Sequence, residues 1–553
     1  MQLINGLHFN NLRGDIYGGL TAAVVALPLA LAMGVSSGAG PIAGIYGAIF
    51  VGFFAALFGG TPAQVSGPTG PMTVVMAIIF THYTGMFPED PAHGAALAFT
   101  VVIMGGLFQI AFGFMKIGRF IELVPHPVVS GFMSGIGVII ILLQIGPLIG
   151  HDSPSKPLEA AKAIPDFFQQ IQLDAGLLGL ITLLIVYGIP KFLPKVNKLL
   201  PSPLIALISG TLIMIVFMPK STAPILGDIP TGFPSPHMPT FALDLLPDML
   251  KSALTLATLG TIDSLLTSLV ADNITRTLHK PDRELIGQGI GNTVAGIFGG
   301  LPGAGATMRT VVNVKAGGKT PLSGALHAAI LLLIILGAGP LASAIPKAVL
   351  AGILIKVGTD IIDWDYLKRL HTAPKAGVFM MFVVLLMTVF IDLIMAVAVG
   401  MIMASMVFMH RMTEHQLQSV SLIKGGENHE LPLTDKEQEI LDQVGDKILL
   451  FHLSGPMSFA SAKGILRRFS VASDYEVMVL DMTDVSMLDF TSSRAVEDII
   501  LSARAKNCCV YLCGTTGQVT EMLEKQQVIE LVGTAYLTDT RYQALQAVAQ
   551  RFS

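Results

Sequence analysis

An aspartate inside an apolar run is the first residue in this sequence that demands a chemical explanation. Asp263 lies in the stretch Thr255-Leu256-Ala257-Thr258-Leu259-Gly260-Thr261-Ile262-Asp263-Ser264-Leu265-Leu266-Thr267. A carboxylate at the centre of a membrane helix costs about 2.5 to 3.5 kcal/mol on insertion scales, so such acids face polar cavities and carry ion or proton chemistry. Thr267 follows four residues later on the same helical face, where its hydroxyl can join the Asp263 carboxylate around one cation. Ligation by oxygen alone suits a hard cation such as sodium. Two other readings stay open: Asp263 as a proton carrier, or as a structural partner of Arg309 or of backbone amides.

Two breaks in the apolar pattern carry the complementary chemistry. One is Ser66-Gly67-Pro68-Thr69-Gly70-Pro71 and the other Gly299-Gly300-Leu301-Pro302-Gly303-Ala304-Gly305. Helix cannot persist through either. The segment Gly70-Pro71-Met72-Thr73-Val74-Val75 recurs loosely after the second break as Ala306-Thr307-Met308-Arg309-Thr310-Val311. The copies stand seven apolar blocks apart, and an odd separation inserts the second upside down, as in an inverted repeat. Each break is expected to run extended at mid-membrane depth and then start a half-helix, whose first amides lack intrahelical partners and carry partial positive charge. Two such starts facing each other hold a small anion with backbone N–H groups and hydroxyls such as Thr69 and Thr307. The competing reading is that Gly and Pro merely permit close helix packing.

The elements that position these residues follow from the hydropathy. The chain has 553 residues, 52% hydrophobic and 13% charged, with mean hydropathy +0.67; soluble domains carry about 25% charged residues. From residue 16 to residue 412 it reads as fourteen apolar blocks; those near 94–115, 128–149, 175–194, 320–339 and 376–393 are long enough to cross a bilayer, and others are short or broken. Lys116 and Arg119; Lys191, Lys195 and Lys198; Arg276, Lys280 and Arg283; Lys315 and Lys319; and Lys368, Arg369 and Lys375 then fall on one side, the cytoplasmic side by the positive-inside rule, with both termini inside. The net charge of -4 gives no reason to expect nucleic acid. No Walker loop, dinucleotide fingerprint or Cys/His zinc spacing occurs, so no cofactor, ATP drive or enzymatic activity is expected. Asp392 reads as a turn or helix-start residue, His327 as a packed core histidine and Trp364 as an interfacial anchor.

After Arg411 the composition changes. Residues 413–445 read as a linker, with Lys424-Gly425-Gly426-Glu427-Asn428 its most typical stretch, and residues 446–553 as a small soluble α/β domain. Its strands are expected at Ile448–Leu453, Val477–Leu480 and Cys508–Leu512, with helices over Phe459–Phe469 and Ser492–Ala505. The three cysteines, Cys508, Cys509 and Cys513, are too few and too close for a disulfide framework.

On these residues the chain resembles the SulP family of anion transporters along nearly its whole length. The resemblance rests on Ala26-Leu27-Pro28-Leu29-Ala30-Leu31-Ala32, on Gly38-Ala39-Gly40-Pro41-Ile42-Ala43-Gly44-Ile45-Tyr46-Gly47 and on Val65-Ser66-Gly67-Pro68-Thr69. With Leu29 where many sulfate carriers have Gln, it is similar to the cyanobacterial bicarbonate carriers of that family. The resemblance implies seven-plus-seven inverted repeats over residues 1–412, divided into core and gate, and sodium-dependent bicarbonate symport across the inner (plasma) membrane. It implies sodium at Asp263, Thr267, Gly305 and Thr307 and the anion at Thr69, Gly70, Ala306 and Thr307, with Arg309 acting on the anion electrostatically. It also implies a homodimer. The family alternative is a sulfate or dicarboxylate carrier. The terminal domain resembles a STAS domain through Leu449-Leu450-Phe451-His452-Leu453-Ser454-Gly455-Pro456 and Asp481-Met482-Thr483-Asp484-Val485-Ser486-Met487-Leu488-Asp489. Phe490 occupies the place of the phosphorylated serine of anti-sigma-antagonist relatives, which weighs against a membrane-tethered signalling module. Thr491 and Ser492 read as helix-capping hydroxyls.

Overall fold

The computed structural model describes the chain apart from residues 1–4, 120–123, 155, 228–234, 237, 392, 425–430, 471–473 and 553. Asp392 and most of the Lys424–Asn428 stretch therefore lie outside the described residues. The chain divides into two compact units, Met1–Met401 and Ile402–Ser553.

The first unit is helical. Its helices are α1 (Leu12–Ser36), α2 (Pro41–Phe58), α3 (Gly70–Met86), α4 (Pro91–Phe114), α5 (His126–Leu148), α6 (Pro157–Gln169), α7 (Leu173–Phe192), α8 (Pro194–Leu199) and α9 (Ser202–Phe217). They continue with α10 (Leu246–Thr275), α11 (Pro281–Ile297), α12 (Thr307–Lys315), α13 (Pro321–Ala342), α14 (Lys347–Ile361), α15 (Trp364–Lys368), α16 (Lys375–Phe390) and the start of α17 (Leu393–Gln418). Among the described residues, seven helices are long and apolar enough to cross a membrane, and three shorter apolar helices accompany them. Many begin with proline in the first turn, where its missing N–H costs no hydrogen bond.

The packing carries a two-fold signature. Setting α1, α2, α3, α4, α5, α7 and α9 against α10, α11, α12, α13, α14, α16 and α17, the contacts come in exchanged pairs. Thus α2 packs on α13 as α11 packs on α4, α1 on α13 as α10 on α4, α1 on α12 as α10 on α3, and α5 on α16 as α14 on α7. The first three pairs build a core group, and the last builds a gate group of α5, α7, α14 and α16. The symmetry is incomplete, and one departure from it bears on the site. Helix α1 packs on α14 and α9, and α3 on α5, whereas among the described residues the exchanged pairs α10 with α5, α10 with α17 and α12 with α14 do not pack closely.

At the centre, two short strands interrupt the helices. Strands β1 (Ser66–Gly67) and β2 (Ala304–Gly305) pair antiparallel, Ser66 opposite Gly305 and Gly67 opposite Ala304. The extended breaks expected from the sequence thus exist and are bonded to each other, with α3 and α12 leaving in opposite senses. A β-carbon on Gly303 would sit 2.5 Å from the Gly67 backbone, which explains the glycine there.

The second unit holds a five-stranded sheet in the order β3-β4-β5-β6-β7, formed by Ser421–Lys424, Ile448–Met457, Val477–Leu488, Cys509–Cys513 and Leu537–Thr538. Strands β4 to β7 are parallel and β3 is antiparallel to β4. Alternation along the strands builds two cores. Leu449, Phe451, Met478 and Leu480 face one layer, with Ile465 and Val496 from helices α19 (Phe459–Ser470) and α20 (Phe490–Ala505). Ile448, Leu450, Val477 and Val479 face the other, with Leu441 from α18 (Asp435–Val444) and Leu545 from a C-terminal helix, Arg541–Phe552. The expected linker is corrected here. Within residues 413–445, Ser421–Lys424 is an edge strand and Asp435–Val444 a helix with a Thr434/Glu437 capping box, whose Leu441 completes the second core.

The expected capping hydroxyls are also corrected: α20 is capped by Asp489, whose carboxylate accepts from the Ser492 amide at 2.8 Å, while the Ser492 hydroxyl is buried without a partner. All three cysteines are free. Asp481, at the end of β5, accepts from His452 at 2.7 Å, from the Thr483 hydroxyl at 2.6 Å and from Arg541 at 3.2 Å. Burial alone would raise this carboxyl, but the hydrogen bonds from His452 and Thr483 hold it down to about 2. A depressed carboxyl stabilises the fold above its ordinary value and ceases to do so as pH falls through the folded value. The second unit is therefore expected to keep its full stability above about pH 4 and to lose part of it between about pH 4 and pH 2. Asp481→Asn should cost roughly 3 to 5 kcal/mol and flatten that acid dependence, measured by pulse proteolysis of the intact protein across urea and pH.

Candidate functional site

The site is built on α10 and the two broken helices. Thr69, Gly70, Asp263, Gly305, Ala306, Thr307 and Arg309 all line one cavity of about 910 Å³. Its mouth lies toward the C-terminal end of α10 and the N-terminal end of α5, where Asn273, His126 and Asp365 reach the wall. Thr267 is fully buried behind this wall. Its hydroxyl donates to the Gly305 carbonyl at 2.9 Å and lies 2.7 Å from the Thr307 hydroxyl, which donates in turn. Every site residue expected from the sequence therefore gathers in one place.

Asp263 is 5% exposed, and its Oδ2 has no hydrogen-bond partner. The Thr69 hydroxyl is likewise buried and unpartnered. The reading of Asp263 as a structural partner of Arg309 is not supported, because the Arg309 guanidinium crosses to the other break and donates to the Pro68 carbonyl. Gly67, at φ +147, makes room for it: a β-carbon there would lie 2.7 Å from Arg309 Nη1. Asp263, Thr267, Thr307 and the Gly305 carbonyl form a cluster of oxygens with an orphaned carboxylate oxygen, the composition that suits a small hard cation.

The anion chemistry is one step narrower than expected. Ala306 lines the cavity, but its N–H donates to the Val65 carbonyl at 2.9 Å. On this side the amides with no carbonyl one turn back are those of Thr307, Met308 and Arg309; on the other they are those of Gly70 and Met72, Pro71 having none. The two half-helix starts converge on the cavity with partial positive charge.

Sequence reasoning missed two groups. Lys356 and Asp360, an i, i+4 ion pair on α14, also line the cavity. Glu284, Gln288 and Asn292 form a buried polar stripe on α11, legible as polar residues four apart in an apolar block. His327 is fully buried, and neither ring nitrogen has a partner. Trp364 is half exposed and donates from its indole N–H to the Thr359 carbonyl at 2.7 Å.

Inverted halves, paired broken helices and a buried, unpartnered carboxylate lining the cavity where they meet are the features of a multi-pass membrane transporter. The chain belongs to the sulfate permease family, which matches residues 12–384, and carries a STAS domain over residues 439–542. It is 46% identical to the bicarbonate transporter BicA of Synechocystis, covering 99% of this chain and 96% of that one, and 30% identical to the putative sulfate transporter YvdB of Bacillus subtilis, covering 97% of both. The solved transmembrane domain of a cyanobacterium bicarbonate transporter BicA superposes with a TM-score of 0.66 at 50% identity, over 71% of this chain and all of that one. SLC26A9 superposes with a TM-score of 0.82 at 18% identity, over 99% of this chain and 91% of its own, and shares the fold.

The Gly67 geometry yields a direct expectation. Gly67→Ala forces a side chain into a left-handed backbone against Arg309, a strain of roughly 1 to 3 kcal/mol. Its melting temperature in detergent should fall below that of the wild type, while Gly85→Ala, at a glycine with open space around its α-carbon, leaves it unchanged.

Proposed function

We propose that this protein imports bicarbonate together with sodium by alternating access, in an inner (plasma) membrane with both termini cytoplasmic. The observation that carries the reading is the orphaned Asp263 carboxylate oxygen beside two convergent half-helix starts. An empty, ionised Asp263 repels an anion in the same cavity. Sodium held by Asp263, Thr267, Thr307 and the Gly305 carbonyl removes that repulsion, so each ion improves the binding of the other, and the coupling is reciprocal.

The anion is held by the free amides of Gly70 and Thr307 with the Thr69 hydroxyl. Ala306 shapes the wall, and Arg309 contributes positive charge from its seat on Pro68. Bicarbonate is favoured over sulfate by the relatives, which are named for bicarbonate at 46% and 45% identity over nearly the whole chain. Few cationic partners reach the cavity, which suits a small monovalent anion. The mouth beside Asn273, His126 and Asp365 adjoins the cation-rich loops holding Arg276, Lys280, Lys368 and Arg369, so the positive-inside rule supports an inward-open state.

Proteoliposomes given labelled bicarbonate or sulfate in the outside medium, with and without an inward sodium gradient, test this. Sodium-stimulated bicarbonate uptake is expected, and Asp263→Asn should lose the sodium dependence and most of the uptake. Sulfate uptake without bicarbonate uptake, or full sodium-stimulated uptake by Asp263→Asn, overturns the reading.

A further inference from the structure

Behind the cluster of oxygens lies a second polar assembly that never touches the cavity. Glu284 on α11 is 1% exposed and its carboxylate is fully engaged. Its Oε2 accepts from the Gly60 and Thr61 amides at 2.8 and 2.9 Å, and its Oε1 accepts from the Gln64 and Gln288 side-chain amides, each at 2.8 Å. An ionised carboxylate can only accept. Both glutamines must therefore turn their Nε2 groups toward Glu284, and this sets the polarity of everything further along.

One arm runs through Gln64. With its nitrogen held by Glu284, its Oε1 faces Ser268 on α10 at 3.0 Å. The Ser268 hydroxyl also lies 3.0 Å from the Ser264 carbonyl and 2.7 Å from the Thr61 hydroxyl. The same Gln64 amide packs on Gly305, where a β-carbon would lie 2.4 Å from its Nε2. The other arm runs through Gln288, which donates to the Ser66 hydroxyl at 2.6 Å; Ser66 is paired with Gly305 across the two short strands.

On α10 the consequence is geometric. Asp263 and Thr267 stand on one stripe of the helix, and Ser264 and Ser268, one residue on, form the adjacent stripe about 100° round. Ser264 accepts from the Gly305 amide at 3.1 Å, and Ser268 is held by Gln64. The serines thus fix the rotation of the helix that presents the aspartate and threonine. Gly305, which offers its carbonyl to Thr267, is held from both arms.

We propose that Glu284 is a positioning residue for the cation site: through Gln64, Gln288 and Ser268 it sets the aim of Asp263, Thr267 and the Gly305 carbonyl. The inference rests on the assignment of sodium to those groups. Partners behind a metal's ligands typically govern its affinity by about 10-fold to 100-fold. In Glu284→Gln an amide NH₂ must face N–H donors on one side or the other, which opposes either the Gly60 and Thr61 amides or both glutamine arms together. Ser268→Ala removes a single hydroxyl, a smaller change that the fold tolerates more readily.

The test uses full-length protein in proteoliposomes, with sodium and bicarbonate KM and kcat measured separately, and sodium-dependent thermal stabilisation in detergent as a second readout. Glu284→Gln should raise the KM for sodium by about 10-fold or more, with the bicarbonate KM at saturating sodium little changed. Ser268→Ala should raise the sodium KM by a smaller factor in the same direction, and the double variant should be no worse than Glu284→Gln alone, because both act on one chain of bonds. A sodium KM unchanged in Ser268→Ala, with wild-type sodium stabilisation, overturns the positioning role while leaving the sodium assignment standing. A wild type that neither takes up bicarbonate with sodium nor is stabilised by sodium overturns the assignment and the positioning role together.

Discussion

The membrane part of this molecule depends on a pairing of two residues with two. Backbone N–H and C=O groups cannot be left unsatisfied in hydrocarbon, yet an ion site made of backbone requires that helices be interrupted there. Strands β1 and β2 resolve the conflict by bonding the two interruptions to each other. The extension of that ladder by the Ala306 amide on Val65 and by the Val65 amide on the Thr310 hydroxyl leaves only the half-helix starts facing the cavity. Crossing the breaks, Arg309 ties the second to the first through Pro68 without forming an ion pair with Asp263. The aspartate is left with an oxygen that no protein group holds.

The buried carboxylates of the membrane unit divide by how their oxygens are occupied. Glu284 has four N–H donors, and Asp15 is held by the Lys319 and Thr320 amides and the Thr320 hydroxyl. Asp263 has an oxygen with none. Two are fastened into the protein, and the third keeps an oxygen without a protein partner. In a low-dielectric interior an unpartnered charged group is costly to maintain, so that difference sets Asp263 apart from the other two more sharply than burial does.

Much of this was legible in the sequence. Asp263 and Thr267 stood out because an acid in an apolar run is costly, and the breaks at Ser66–Pro71 and Gly299–Gly305 stood out because proline and glycine end helices. The inverted relation followed from the odd spacing of the repeated motif. What was not legible depended on long-range contacts. The edge strand Ser421–Lys424 is short and pairs with a partner almost 30 residues away, so its composition reads as linker. The capping carboxylate of Asp489 was obscured by the hydroxyls that follow it. Glu284 sits among Lys280 and Arg283 at the start of an apolar block, where nothing local marks it, and its partners at residues 60, 61 and 64 are more than 200 positions away.

One departure from the two-fold packing has a meaning of its own. Helix α1 lies on α14 and α3 on α5, while their counterparts α10 and α12 stand clear of α5 and α14, and the cavity opens where they stand clear. Because the halves are built alike, the reverse arrangement, with α10 closed on α5 and α1 lifted from α14, asks for no new kind of contact. In the contacts of one half the molecule carries the pattern that the other half would need to close its own side.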